Sequence, residues 1–316
     1  MQLGNEKRLF VMGGLQLKRW VARAVSAGVL ALVSFAPAAL ARDGVEVGPR
    51  SRFAYIVSAE DLETAAQRNY LQLAEQARQQ NALLPDNHPL AIRLKSIAAR
   101  LIPYTYEWNP RAQQWRWQVM ALNAKELNAF CMPGGKIAFF SGIVTQLQLT
   151  DDEVAMVMGH EMAHALREHA RAQTGKKQAT SLFATITSSI LGLGNTGDAL
   201  LNVGSQLLTL KFSREDETEA DLVGMDLAAH AGYDPRAGIS LWRKMSAANK
   251  GAPPQWMSTH PASATRITDM QAQLGKVLPI YERAAKPAQR FDAPLKTGSS
   301  YLDDAPALAY WGAAHK

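Results

Sequence analysis

The sequence predicts an α+β domain, mainly helical, with a small β-sheet placed ahead of a histidine-bearing helix. Apolar residues recur at three- and four-residue steps over much of the chain from Ser58 to Leu274. Residues 115–140 break that rhythm, with alternation in WRWQVMAL and then the turn Pro133-Gly134-Gly135. Thr150-Asp151-Asp152-Glu153 then has the form of a helix start. At 316 residues the chain has ample material for a core.

The first 41 residues have the pattern of an export leader. Lys18, Arg19 and Arg23 precede the uncharged run AVSAGVLALVSFAPAALA, which closes on the small-x-small triplet Ala39-Leu40-Ala41. A secretory signal cut after Ala41 is expected. The run also reaches the lower limit for a membrane span, but Pro37 and the small residues before Arg42 favour cleavage. Five cations against one acid in this segment account for most of the formal net charge of +6, so the high pI does not mark a nucleic-acid binder. Cys131 is the only cysteine, which excludes an intramolecular disulfide. It is expected to be a small buried hydrophobe rather than a nucleophile.

Helical steps join Leu62, Ala65, Ala66, Tyr70, Leu73 and Ala77; LLPDNHP interrupts them, and they resume from Leu90 to Leu101. WRWQVMAL and NAFCMPGGKIAFFSG follow as a short hairpin or meander, with Lys136 to Phe140 as one strand. Thr150 can accept the N–H of Glu153 while Glu153 reaches back, and the helix so capped should run to about Ala172. Residues 178–210, apolar and small with LGLGNTG in the middle, fit two helices around a loop. A helix from Ser213 stops at Gly232 and Pro235, and two more fit residues 236–248 and 262–274. The predicted domain spans residues 42–275, with its motifs over 128–267. Residues 276–316 lack clear periodicity and are expected to be partly extended or loosely packed.

MGHEMAHALREHA holds three of the seven histidines. At 100° per residue, His160 and His164 lie about 40° apart and one turn along the axis, so both rings can reach one ion. Glu161 lies between them, near enough to address a water without binding the metal. This is the HExxH arrangement, in which two histidines hold zinc and the glutamate is the general base. His169 lies about 140° around an ideal helix from His164, which predicts a surface or packing residue rather than a ligand. The third ligand is sought in the acidic run Glu215, Asp216, Glu217, Glu219, Asp221. On that helix Glu217 and Asp221 flank the small face of Ala220, Gly224, Leu227 and Ala228, whereas Glu215 and Glu219 point towards solvent. Glu217 is therefore the predicted ligand, and Asp221, one turn on, a carboxylate that orients a ligand histidine.

These residues resemble the HtpX-type zinc metallopeptidases, gluzincins that include the CAAX prenyl endopeptidases and the bacterial envelope proteases BepA and LoiP. The resemblance rests on NAFCMPGGKIAFFSG, DDEVAMVMGHEMAH, SREDETEAD, AGYDP and STHPASATRI in that order, and its character is closest to BepA and LoiP. No tetratricopeptide domain like that of BepA is visible. The resemblance implies a zincin-like domain with one Zn2+ per subunit on His160, His164 and Glu217, and Glu161 catalytic. It offers a proton-donor role for Asp221 beside the orienting one. His260 corresponds to a histidine that can approach zinc as a regulatory fourth ligand, and stabilisation of the oxyanion is the other role open to it.

Three protein ligands leave one position for water, whose pKa zinc brings to about 7. The expected enzyme is a zinc metalloendopeptidase in which the strand after Gly134 and Gly135, carrying Ile137, pairs edge-on with an extended substrate. Unfolded or misassembled envelope proteins are the expected substrates, in the periplasm of a Gram-negative bacterium, with peripheral membrane association left open and no nucleic-acid partner. The competing reading is a zinc-stabilised periplasmic chaperone or assembly factor with a latent protease site, plugged by His260 and the Gly192 to Gly197 loop.

Overall fold

The computed structural model describes residues 43–190, 211–248, 255–260 and 264–291. The predicted leader, the LGLGNTG loop and residues 292–316 lie outside them. Helix α1 (Ala59–Gln79) starts where Ser58 accepts the N–H of Asp61, and α2 (Pro89–Leu101) where His88 accepts that of Leu90. Three strands follow, β1 (Gln118–Leu122), β2 (Ala129–Met132) and β3 (Lys136–Phe140), in the order β1-β3-β2. The sheet is mixed rather than a meander: β2 and β3 form an antiparallel hairpin, while β1 runs parallel to β3. Gly134 and Gly135 turn the hairpin with φ of +79° and +73°, and a Cβ on Gly135 would meet the Trp117 ring at 2.6 Å.

Every residue of β3 is buried, as a central strand covered on both faces requires. Ile137 and Phe139 enter the main core with α2 and the helices that follow. Ala138 and Phe140 face the other way, onto Tyr70 and Leu73 of α1. After the short α3 (Ser141–Gln146), α4 (Asp151–Leu166) is buried on nearly all sides. Both bonds of its capping box form between Thr150 and Glu153. Inside the domain Arg93 donates to Asp151 over 2.7 Å and to the Leu149 carbonyl, so this buried charge is paired.

The helix expected to reach Ala172 stops at Leu166. Glu168 adopts φ +60°, and a separate helix, α5 (His169–Ile190), starts beyond it. Helix α6 (Arg214–His230) opens on a Ser213–Asp216 capping box, and Gly232 follows its end with φ +82°. The chain then forms α7 (Ala237–Ala248), α8 (Gln255–Thr259) and α9 (Ala264–Arg283). Helix α9 passes the predicted stop at Leu274 and buries Val277 and Ile280, so residues 276–283 are packed helix rather than loose tail. The whole is mainly helical with a small sheet ahead of the histidine helix, the class the sequence predicts. Among the described residues no helix is long and apolar enough to cross a membrane.

Helices α4 and α6 meet backbone to backbone at two glycines. A Cβ on Gly159 would stand 2.9 Å from the Gly224 carbonyl oxygen, and one on Gly224 would stand 2.8 Å from the amide nitrogen of His160. Gly224→Ala is therefore expected to force the helices apart, at a cost of about 1–3 kcal/mol. Thermal unfolding and metal content should both fall. Gly275→Ala in α9, where a Cβ meets nothing within 4 Å, should be neutral or gain up to ~1 kcal/mol. Equal melting temperatures for the two variants would contradict the close approach.

Candidate metal centre

Four buried side chains converge where these helices meet: His160 and His164 of α4, Glu217 of α6, and His260 just after α8. One donor atom from each lies within 4.8 Å of the others. His160 Nε2 is 3.1 Å from His164 Nε2 and 3.2 Å from His260 Nδ1. Glu217 Oε1 is 2.9 Å from His260 Nδ1 and 3.5 Å from His164 Nε2. Donors held at about 2.0–2.1 Å by a tetrahedral ion stand about 3.3 Å apart, so these spacings suit zinc. Hydrogen bonding does not account for them, because His160 Nε2 faces two ring nitrogens and can share at most one proton.

Charge points the same way. Glu161, Glu217 and Asp221 are all buried, and Arg266 is the buried cation that contacts two of them. Two negative charges are left for a divalent ion to balance. Glu217 Oε2 lies 2.6 Å from Arg266 Nη1 yet accepts no hydrogen bond of good geometry, which leaves it a buried lone pair. Burial opposes the charge of Glu217, but His260, His160 and Arg266 outweigh it and hold the carboxyl below its usual range. Burial, with His160 alongside, pushes His164 well below the ordinary imidazole value, so it is a neutral donor. The cluster is a zinc-binding site.

Asp221 receives His160 Nδ1 at 3.0 Å, Arg266 through Nε at 2.6 Å and Nη2 at 2.7 Å, and Trp242 Nε1 at 3.4 Å. Burial alone would raise its pKa; Arg266 and His160 overcome that and bring it to about 2. The Arg266 guanidinium also lies 3.8 Å over the Trp242 ring, a cation–π contact. Glu161 accepts from Trp256 Nε1 at 2.6 Å and has His260 Nε2 at 3.5 Å. Glu161 lines a cavity together with residues 128–133, Phe212 and Thr259.

His169, expected as a surface or packing residue, is a packing residue, and it packs against a ligand. It does not belong to the converging set, but it is buried, with Nδ1 2.9 Å from His164 Nδ1 and Nε2 2.9 Å from Glu219 Oε2. The break at Glu168 invalidates the ideal-helix projection and swings the ring back towards His164. Glu219 is likewise drawn from solvent, accepting also from Arg167 Nε at 2.6 Å. The expected docking edge moves too. Ile137 lies in the central strand, whose two sides are taken by β1 and β2, and Gly134 and Gly135 sit in the hairpin turn, outside the cavity lining. Among the described residues the sheet edge beside Glu161 belongs to β2 and carries no further strand. Arg266, Trp256 and Phe212 escaped the sequence reading; Arg266 lies in the quoted STHPASATRI, but nothing in its spacing shows that it reaches α6.

Residues 91–274 match peptidase family M48. The chain is 31% identical over 254 residues to mitochondrial metalloendopeptidase OMA1 of Saccharomyces cerevisiae, covering 77% of this chain and 72% of that protein. It is 30% identical over 194 residues to metalloprotease LoiP of Escherichia coli, 61% of this chain and 73% of LoiP. Against the β-barrel assembly-enhancing protease of the same organism it is 24% identical over 211 residues, 63% of this chain but 42% of the relative. With the HExxH helix and its buried donors intact, the chain belongs to peptidase family M48, as a zinc metalloendopeptidase.

Proposed function

We propose that this metalloendopeptidase degrades unfolded or misassembled proteins of the bacterial envelope, with His160, His164 and Glu217 as ligands and Glu161 as general base. The observation that carries the proposal is the shared cavity, lined by Glu161, His164 and the β2 edge strand. When bound, zinc polarises a peptide carbonyl and lowers the pKa of water to about 7. Glu161 takes the proton from the attacking water and returns it to the leaving amine. Asp221 holds the His160 ring through Nδ1. Its oxygens are occupied by His160, Arg266 and Trp242, which favours this positioning role over proton donation.

Substrate reads the edge of β2 by its backbone. Phe140 N–H donates to the Asn128 carbonyl, so by antiparallel alternation Asn128, Phe130 and Met132 bond inward while the Cys131 N–H and the Ala129 and Cys131 carbonyls face outward, the Ala129 N–H donating to Asn128 Oδ1 at 3.0 Å. Backbone pairing needs an extended chain and little sequence, which suits unfolded substrates. The leader pattern of residues 1–41 supports an exported enzyme, and LoiP and the β-barrel assembly-enhancing protease are bacterial relatives in keeping with that setting.

One observation favours a second reading, a zinc-stabilised chaperone or assembly factor whose protease site is latent. His260 Nδ1 stands within the donor set, and four donors close a tetrahedral shell as structural zinc sites do. On this reading His260 has to swing away before substrate enters. Full rescue of an envelope defect by Glu161→Gln protein would select it over proteolysis.

Zinc analysis and casein digestion test the assignment. Glu161→Gln should keep zinc and lose about 10²–10⁴-fold in kcat, whereas Glu217→Ala should lose both zinc and activity. Zinc and activity retained in Glu217→Ala would remove Glu217 from the ligand set. For the edge, Cys131→Pro deletes one outward N–H and leaves the hairpin bonds in place. Its kcat/KM on unfolded casein should drop about 2–10-fold, the value of one hydrogen bond; unchanged kinetics would exclude pairing at β2.

A further inference from the structure

We propose that His169 and Glu219 form a positioning pair that holds the His164 ring through its Nδ1 and so sets the zinc affinity of the site. The inference rests on His164 being a zinc ligand. The two Nδ1 atoms lie 2.9 Å apart in a buried setting, close enough to share one proton and too close for two. His164 points Nε2 into the donor cluster, so its proton is on Nδ1, and His164 Nδ1–H donates to His169 Nδ1. His169 then carries its own proton on Nε2, which donates to Glu219 Oε2 at 2.9 Å. Arg167 Nε fixes the other oxygen of Glu219 at 2.6 Å. Only this arrangement of protons satisfies the chain from ligand to carboxylate.

The neighbouring ligand has a shorter version of the same support, since Asp221 receives His160 Nδ1 directly. Helix α6 thus supplies the ligand Glu217 and, two and four residues on, the carboxylates behind both histidines. Phe212, stacked on the His164 ring at 3.9 Å and 25°, restricts the ring's tilt but offers it no acceptor. Rotation about the ring axis is left to His169. The left-handed turn at Glu168, held by Arg171 and Arg50, brings His169 back to that position.

The test is zinc affinity of the metal-free protein, measured by competition with a chromophoric chelator, with the metal-free melting temperature recorded alongside. His169→Phe keeps the bulk and removes the acceptor, and should weaken zinc about 10–100-fold. His169→Asn places Oδ1 where Nδ1 was, and should restore affinity to within about 3-fold of wild type. Glu219→Gln removes the charge while keeping the shape, and should cost about 3–10-fold. Exposed Glu215→Gln is the control and should change nothing. A His169→Phe protein within about 2-fold of wild type, or His169→Asn as weak as His169→Phe, would overturn the proposal. Should His169→Phe fail to fold, unchanged affinity in Glu219→Gln overturns it equally. Wild-type protein that takes up no zinc overturns both this proposal and the ligand assignment beneath it; zinc-binding wild type with indifferent variants overturns this proposal alone.

Discussion

The contact between Gly159 and Gly224 is the constraint on which the rest depends. A helix pair separated by ordinary side chains keeps its axes 8–10 Å apart; here each glycine backbone occupies the space a Cβ would need. That approach lets the short Glu217 and Asp221 side chains of α6 reach His160 and His164 on α4. Neither helix makes the site alone. The capping boxes at Thr150 and Ser213 fix where each helix begins, and so which turn of one meets which turn of the other.

Bringing carboxylates together out of water is costly, and the surroundings show how the cost is offset. Arg266 spans Asp221 and Glu217 from α9 while stacking on Trp242 of α7. Trp256 holds Glu161 from α8. The late helices therefore serve the site electrostatically, although the histidine helix is far away in sequence. The remaining negative charge makes the fold and its divalent ion mutually dependent: without the ion, Glu161 and Glu217 repel one another in a medium that screens poorly.

Features fixed by neighbours in the chain were legible in the sequence. The histidine pair, Glu161 and the capping box at Thr150 follow from helical spacing, and the pattern around Ala220 and Gly224 placed Glu217 on the buried side. Strand β3 was also legible, because a short apolar run directly after a Pro-Gly-Gly turn is a local signal. Its position in the sheet was not: strand order depends on where β1 docks, and a parallel partner leaves no turn motif behind. The contact of His169 with His164, and through it with Glu219, was hidden by one φ angle. Glu168 enters the left-handed region with no glycine or proline to announce it, and a rigid-helix projection fails beyond such a point. Arg266 reaches α6 from 45 residues away, a tertiary contact that periodicity does not encode.

The central claim is that the close pairing of α4 and α6 builds one zinc site from His160, His164 and Glu217. Crystals of zinc-loaded protein, measured at the zinc absorption edge, test it most directly. The account predicts a single anomalous peak per chain, about 2.0–2.2 Å from both Nε2 atoms and a Glu217 carboxylate oxygen. A peak lacking Glu217, or one coordinated by His169, would contradict it.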